Sequence, residues 1–268
     1  ADVIDLGCQP DTPFPHLEES IDALRRLGHS VSVDSGNPDD LSRAGRAGAD
    51  YLLSLTEKTL GVLDGVSSTP ILIPAKHGDL ASLVRAMDKL DRRGRRYLAD
   101  PVLDPIHFGF TASLERYAEL RRRRPQAEIL MGTGNLTELT DADTSGITAV
   151  LMGIVSELRI HNVLVVQVSP HCRRAVKETD VARRIMFAAR ADSALPSGID
   201  PALLCLRDRK PYSVAPIDIE EAAAMVADDN FRIETAEDGI HAYNRRGHHV
   251  AADPFDIFPK LAVEKDGG

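Results

Sequence analysis

Three polar side chains stand at or just beyond the ends of short apolar runs that have the composition of β-strands. Asp34 and Asp100 are the last residues of two such runs, and Asn135 lies soon after a third, residues 128–132. A carboxylate can accept two parallel N–H bonds from a ring N–H and an exocyclic amine, and an amide can donate and accept beside it. These residue types therefore predict a site for a flat heterocycle with an amidine-like edge. Either aspartate alone could instead cap a turn or a helix, and that alternative stays open at this point.

The elements that must position these side chains are seven apolar runs separated by amphipathic helical segments. In the helical segments apolar residues recur every three or four positions, as at Leu17, Ile21 and Leu24. Strands that are apolar throughout and alternate with helices indicate a parallel sheet covered by helices. The predicted fold is an α/β protein of the (β/α)8 TIM-barrel class, in which the chemistry gathers where the strands end, at the C-terminal rim. The predicted strands are 3–7, 31–34, 51–55, 71–75, 97–100, 128–132 and 163–168.

The chain is predicted to comprise a barrel over residues 1–191 and a small C-terminal α+β appendage over residues 192–268, packed on the barrel. Beyond about residue 192 proline, glycine and small residues become frequent. A helix is predicted over 217–227, and three short strands follow it. The segment 244–247, Asn-Arg-Arg-Gly, is typical of a tight turn between two of these strands.

The composition argues against several classes of protein. With 268 residues, 43% of them hydrophobic, the chain can bury a large core. A net charge of −9, few aromatic residues and no tryptophan argue against a nucleic-acid partner. The apolar runs are too short to cross a membrane, and no secretory signal opens the chain. Three widely spaced cysteines, Cys8, Cys172 and Cys205, fit a reducing compartment, so a cytoplasmic location is expected.

Two cofactor classes are not expected either. The histidines lack cysteine or carboxylate partners at metal-ligand spacing, which argues against a zinc site and leaves no metal ligands to assign. No Gly-x-Gly-x-x-Gly segment is present, which argues against NAD.

The order of the strand-end residues resembles the pterin-binding barrel superfamily, which includes the dihydropteroate synthases and the methyltetrahydrofolate-type corrinoid methyltransferases. The chain is most similar to dihydropteroate-synthase-related proteins of organisms that use tetrahydromethanopterin. The resemblance implies an eight-stranded barrel, a pterin ligand and a homodimer. Matched in order, the seven runs leave the family's first strand apparently absent, so it is expected upstream of Ala1 or the barrel is completed otherwise. The segments that carry the resemblance are 1–7, 32–34 with 48–50, 100–106 and 132–141.

The resemblance also implies roles for individual residues. Asp34 and Asp100 match the two aspartates of the family's pterin site, and Ser54 lies beside the position of a synthase asparagine that contacts the pterin. Asn135 matches the asparagine that lies next to the reactive pterin nitrogen in the methyltransferases. The pterin is therefore expected to contact all four residues, with Asp34 and Asn135 taking part in catalysis.

Two features of the synthases are missing from the sequence. Their pterin-contacting lysine is replaced by Leu136, and their Arg-x-His diphosphate anchor is replaced by Gln-Val-Ser at 167–169. A phosphorylated substrate still needs cationic partners. Each candidate for that role is more simply explained as an ordinary surface residue. The candidates are Lys76 with His77 beside it, His171, Arg173 and Arg174.

Three functions remain open on the sequence alone. The preferred one is a dihydropteroate-synthase-like condensation in tetrahydromethanopterin or folate-type cofactor biosynthesis. An arylamine would attack the methylene of a dihydropterin-methyl diphosphate, diphosphate would leave, and a bound Mg²⁺ could share its charge. The second is methyl transfer from a methyl-tetrahydropterin to a separate corrinoid protein, with Asn135 assisting the leaving nitrogen. The third is a pterin-binding protein without catalytic activity, which the two missing features would also explain.

Overall fold

The computed structural model describes residues 1–10, 12–204 and 212–261. The chain divides into two compact units, Ala1–Leu204 and Cys205–Gly268. Cys205, one of the three cysteines considered above, lies outside the described residues. The predicted boundary near residue 192 and the packing of the appendage on the barrel stay predictions.

The described part of the first unit contains a barrel of parallel strands. Its strands are β1 (Val3–Gly7), β2 (Ser30–Asp34), β3 (Tyr51–Leu55), β4 (Thr69–Leu72), β5 (Leu98–Ala99), β6 (Leu130–Gly132) and β7 (Asn162–Leu164). β1 to β5 form one sheet in sequential order, and β6 pairs with β7. A parallel bridge between Ala99 and Ile129 links the two sheets. No described strand pairs with the outer edge of β1 or of β7, so the barrel is open between them. The predicted α/β barrel with one strand missing is therefore confirmed as a partial barrel.

Several strands are shorter than the apolar runs that predict them. The run 97–100 pairs only at Leu98–Ala99, although the backbone N–H of Asp100 still donates to Leu72 O at 2.8 Å. The run 163–168 pairs only as far as Leu164. Pairing with β6 stops at Leu164, and in the loop beyond it the N–H groups of Val168 and Ser169 bind a side-chain carboxylate.

Helices follow the strands and cover the outside of the sheet. Side chains cap the N-termini of two of these helices. Asn37 accepts a hydrogen bond from the N–H of Asp39, and Asp79 accepts one from the N–H of Ser82. The first helix ends just before Gly28, which has a φ of +85°, a conformation that favours glycine. The helices are α1 (Leu17–Arg26), α2 (Pro38–Arg46), α3 (Leu80–Arg92), α4 (Phe110–Arg123), α5 (Gly134–Thr137), α6 (Thr144–Glu157) and α7 (Ala175–Ala191).

Two apolar clusters hold this unit together. The larger one packs the buried faces of the helices against the outward side chains of the strands, with Leu17 and Val33 among its fully buried members. The smaller one lies inside the barrel and consists of Leu53, Ile71, Leu98 and Leu130, with Tyr51 and Leu164 packed against it. Side chains alternate between the two faces of a strand, so β3, β4, β5 and β6 each supply residues to both clusters. This alternation explains why the sequence shows continuous apolar runs.

The described part of the second unit is a three-stranded antiparallel sheet with two short helices. Its elements are α8 (Pro216–Ala224), β8 (Arg232–Ala236), β9 (Gly239–Asn244), β10 (Gly247–Ala251) and α9 (Pro254–Ile257). The predicted turn at 244–247 joins β9 to β10. A small core of Ile219, Ala236 and Tyr243 packs α8 on the sheet.

None of the helices in the described residues combines the length and the apolar character that a membrane crossing requires.

Candidate functional site

Asp34 and Asp100 lie at the C-terminal rim of the barrel, and their side chains belong to its inner face. Ser32 and Leu98, two positions earlier on the same strands, line the barrel interior. Because successive side chains alternate between the faces of a strand, Asp34 and Asp100 face the interior one layer nearer the rim. The negative charge of Asp100 helps to raise the pKa of Asp34, which places the two carboxyls within electrostatic reach of each other.

The Asp100 carboxyl is held in a fixed position by two hydrogen bonds to one of its oxygens. Oδ1 accepts from the Tyr117 hydroxyl at 2.6 Å and from the backbone N–H of Val102 at 2.7 Å. The side chain is buried, and desolvation raises its pKa to about 6 even though both hydrogen bonds lower the pKa. No described group donates to Oδ2. The bond to Val102 is the turn-capping contact considered from the sequence, but it uses one oxygen and leaves the other as an acceptor.

The Asp34 carboxyl is half-buried and makes no hydrogen bond to any described residue. Desolvation is the largest reason that its pKa is raised to about 6, and the charges of Asp5 and Asp100 add to that effect. An interior-facing carboxyl without a protein partner is an acceptor that a ligand can use. Desolvation also raises the pKa of Asp5, which lies one layer deeper and accepts a hydrogen bond from Ser32.

Asn135 lies at the same rim, at the start of the short helix α5. It is exposed, and its Nδ2 donates to Leu103 O at 2.8 Å, in the loop that follows Asp100. The amide nitrogen is thus committed to the protein, while no described group donates to the amide oxygen. The Asn135 amide oxygen, held beside the loop that follows Asp100, is therefore the atom that can accept a hydrogen bond from a ligand.

The loop after Asp100 is held by a buried ion pair to which the sequence analysis assigned no role. Asp104 is 3% exposed, and its carboxylate accepts from Arg116 at 2.6 Å and contacts His77 Nε2 at 3.0 Å. Arg116 also donates to Val102 O at 2.9 Å. Gly109 has a φ of +118°, and a Cβ there would lie 2.9 Å from Asp104 Oδ2. The repeated Asp-Pro pairs at 100–101 and 104–105 were the available signal for this network.

The remaining predicted site residues are spread around the rim. Ser54 is half-buried at the end of β3, where the pairing with β4 is irregular. Lys76 is exposed in the loop after β4, and Arg174 is exposed just before α7. His171 is exposed, but its Nε2 contacts Thr137 O at 3.0 Å, and Arg173 has a partner of its own. These four candidate phosphate ligands, and His77 beside Lys76, lie in the loops after β4 and β7.

The loops after β6 and β7 are joined by Glu138, whose role the sequence did not reveal. Its carboxylate accepts from the backbone N–H of Val168 at 2.7 Å and of Ser169 at 2.8 Å. Leu136, at the position of the synthase lysine, is 5% exposed and belongs to the large apolar cluster, so its side chain does not reach the site.

A cavity of about 520 Å³ lies inside the barrel and opens between β1 and β7. Asp5 and Ser32 line it, whereas Asp34, Asp100 and Asn135 do not. The cavity and the candidate site at the rim are therefore different features of the barrel.

Within the part of the chain that the structure describes, no group of three or more histidine, cysteine, aspartate and glutamate side chains is arranged to hold a metal ion.

Comparison with known sequences places the chain beside one longer relative. No protein-family model matches the chain. An uncharacterised protein of Methanocaldococcus jannaschii is 27% identical over 262 residues, with 87% of this chain and 50% of the relative covered. The chain thus spans about half the length of the curated relative that it matches.

Solved structures of dihydropteroate synthases share the fold. The Yersinia pestis enzyme aligns with a TM-score of 0.53 and 19% identity over 71% of this chain and 83% of its own. The Coxiella burnetii enzyme, solved with pteroic acid, aligns with a TM-score of 0.53 and 16% identity over 72% of this chain and 81% of its own. The Thermus thermophilus enzyme aligns with a TM-score of 0.50 and 20% identity over 70% of this chain and 83% of its own. These similarities show which fold the chain adopts.

Proposed function

We propose that this chain, which has the barrel fold of the dihydropteroate synthases, binds a pterin between Asp34 and Asp100 and catalyses a dihydropteroate-synthase-like transfer. The observation that carries the proposal is the pair of interior carboxyls with unused acceptor oxygens. Asp34 has no described partner, and Asp100 offers Oδ2 while Tyr117 and Val102 fix Oδ1. A pterin presents ring N–H and exocyclic amine donors that require such acceptors when they are buried.

The proposed reaction replaces one bond at the pterin methylene carbon by another. The arylamine nitrogen forms a C–N bond to this carbon, and the C–O bond to diphosphate breaks with its electron pair leaving on the diphosphate. The amine then loses a proton to solvent. Asp100 would hold the ring in a fixed orientation, and its negative charge beside the ring N–H groups would stabilise the electron-poor methylene in the transition state.

The diphosphate and any phosphate on the arylamine require cations at the same rim. Lys76 and Arg174 are the candidates with exposed side chains and no described partner, one after β4 and one after β7. His171 and Arg173 lie next to Arg174 and complete the proposed phosphate contacts. A place in tetrahydromethanopterin or folate-type cofactor biosynthesis, a homodimer and a cytoplasmic location are part of the same proposal.

Methyl transfer to a corrinoid protein is the second candidate. It is favoured by the burial of Leu136 where the synthases carry a lysine, together with the free amide oxygen of Asn135 at the rim. A pterin bound by the two aspartates would then donate a methyl group from its ring nitrogen to a separate protein. Binding without catalysis is the remaining outcome of the test.

An assay of diphosphate release tests the proposal. The chain is incubated with dihydropterin-methyl diphosphate and an arylamine such as aminobenzene-ribose phosphate. We expect diphosphate release that depends on the arylamine and is strongly reduced in Asp100→Asn. Asp192→Asn, the same change at an exposed residue after α7, should have full activity. No release from a chain that binds dihydropterin would contradict the condensation, and methyl transfer to an added corrinoid protein would establish the second candidate.

A further inference from the structure

The turn that follows Asp100 contains a residue in an unfavourable backbone conformation. Val102 has a φ of +67°, in the range that favours glycine. A β-branched side chain crowds the backbone at positive φ, so valine is a rare occupant of such a position. The same residue supplies the backbone N–H that Asp100 Oδ1 accepts at 2.7 Å. A costly conformation persists only where the surrounding contacts impose it, and such positions cluster at functional sites.

Arg116 of α4 makes contacts that impose this conformation. Its Nε donates to Pro101 O at 3.2 Å, and its Nη2 donates to Val102 O at 2.9 Å. These two carbonyl groups belong to the two peptide groups on either side of the Val102 Cα. Because each peptide group is planar, fixing both of them fixes the φ and ψ angles between them.

Asp104 holds the Arg116 guanidinium in place. Nη2 also donates to Asp104 Oδ2 at 2.6 Å, and the two side chains are only 11% and 5% exposed. A guanidinium is planar and directs its donors along fixed lines, so it can bind one carboxylate and two carbonyl groups at once. The ammonium group of a lysine has one nitrogen and ends short of the position of Nη2.

Two successive residues of α4 therefore hold the Asp100 turn. Tyr117 binds Oδ1 of the carboxyl directly, and Arg116 binds the backbone that carries the second donor to the same oxygen. Without the guanidinium, Val102 would be free to return to a negative φ, which turns its N–H away from Oδ1. Asp100 would then keep one donor, and its carboxyl could rotate.

We propose that Arg116 is a positioning residue of the pterin site, which imposes the positive φ of Val102 and thereby aligns Asp100 so that Oδ2 meets the ligand. The inference rests on the proposed function, in which Asp100 Oδ2 accepts from the pterin. Arg116 acts through the backbone of the turn and not by contact with the ligand.

Arg116→Lys, with and without Val102→Gly, separates alignment from charge. Lysine keeps a positive charge beside Asp104 but loses the geometry that binds the carbonyl groups. Glycine adopts a positive φ without help. We expect Arg116→Lys to weaken dihydropterin binding about ten-fold, and Val102→Gly in the same chain to restore most of the loss. Calorimetric titration at pH 7.5 measures both effects.

Carbon-13 NMR of the Asp100 carboxyl carbon gives a second readout that does not depend on the pterin. The Val102 N–H lowers the pKa of Asp100 by donating to the ionised form. Arg116→Lys should therefore raise the pKa of Asp100, and Val102→Gly in the same chain should reverse the rise. The positive charge of Arg116 also lowers this pKa. Because lysine keeps that charge, the change reports the loss of the N–H bond.

Two controls isolate the role of the turn. Arg121, another arginine of α4, also donates to backbone carbonyls, including Leu158 O at 2.8 Å. Arg121→Lys should change neither pterin affinity nor the pKa of Asp100. In the chain with Arg116 intact, Val102→Gly should melt at a higher temperature than Val102→Ala, because alanine does not tolerate a positive φ and glycine does.

Three results would overturn the proposal. An unchanged pKa of Asp100 in Arg116→Lys would show that Val102 keeps its N–H bond without the guanidinium. A raised pKa that Val102→Gly does not reverse would show that Arg116 acts on Asp100 by another route. A lower melting temperature for Val102→Gly than for Val102→Ala would show that the turn does not need glycine-like freedom. A chain that binds no pterin would contradict the proposed function, while the pKa of Asp100 still decides whether Arg116 aligns the carboxyl.

Discussion

The Tyr117 hydroxyl of α4 donates a 2.6 Å hydrogen bond to Asp100 Oδ1 at the end of β5, and both side chains are buried. The bond joins the helix that follows the strand to the carboxyl at its end. The Val102 N–H donates to the same oxygen, so Oδ2 is the Asp100 oxygen that remains as an acceptor for a ligand. This arrangement and the neighbouring Asp34 determine how pterin binding should respond to pH and to substitution.

Pterin affinity should depend on pH around 6. Asp34 and Asp100 each have a pKa raised to about 6, mainly by desolvation. A protonated carboxyl loses acceptor capacity, so binding should be strong above this pH and weaken as the pH falls through it. Calorimetric titrations with dihydropterin between pH 5 and 8 measure the effect. An affinity that stays constant over this range would show that neither carboxyl accepts from the ligand.

Tyr117→Phe should raise the pH at which pterin affinity falls to half of its high-pH value, the midpoint of the pH dependence. The hydroxyl lowers the pKa of Asp100 by donating to its ionised form, so its loss raises that pKa further. Losing a buried hydrogen bond should also lower the free energy of unfolding by about 1–3 kcal/mol. The same titrations and a denaturant melt measure the two effects. Tyr97→Phe, which removes a hydroxyl bonded to Asp91 on the exposed surface, is the matched control and should leave the midpoint unchanged.

Asp100→Asn should reduce pterin affinity by roughly ten- to a hundred-fold. An asparagine Oδ1 can still accept from Tyr117 and Val102, so the fold is kept and the amide NH2 takes the place of Oδ2. That NH2 would face the donors of the pterin and leave buried groups unpaired. Calorimetry on the variant measures the loss. Binding equal to that of the unchanged chain would mean that Asp100 only caps its turn.

Asp34→Asn should stabilise the fold while weakening pterin binding. A carboxyl whose pKa is raised in the folded state contributes stability at low pH that is lost as the pH rises through about 6. An amide at this position does not titrate, so the variant should melt at a higher temperature than the unchanged chain at pH 7.5. The difference should vanish near pH 4. A lower melting temperature of Asp34→Asn at pH 7.5 would contradict the view that the Asp34 carboxylate has no stabilising partner in the fold. The control Asp192→Asn should have the melting temperature of the unchanged chain at both pH values.

The barrel could be predicted because its signals are local. Apolar runs, helical periodicity and strand-end polar residues are all visible along the chain, and the runs 3–7 and 51–55 match β1 and β3. Strand ends were less predictable, because pairing stops at Leu164 and the loop beyond it is held by Glu138, which accepts from the N–H groups of Val168 and Ser169. That contact joins residues about thirty positions apart, and periodicity carries no information about it.

The site could be predicted only in part for the same reason. Asp34 and Asp100 are recognisable as carboxylates at strand ends. Their partners are not, because Tyr117 lies on the buried face of α4 and looks like a core residue in the sequence. Likewise Arg116 is one of many arginines, and only the fold shows that it is buried against Asp104.

The central claim is that the rim between Asp34 and Asp100 binds a pterin, and calorimetric titration of the chain at pH 7.5 tests it most directly. Dihydropterin, dihydropterin-methyl diphosphate and methyl-tetrahydropterin would be titrated separately. We predict saturable binding of dihydropterin, which is abolished when Asp34 and Asp100 are both changed to asparagine and kept in Asp192→Asn. Tighter binding of the diphosphate would favour condensation, and tighter binding of the methylated pterin would favour methyl transfer. No binding of any of the three would contradict the account.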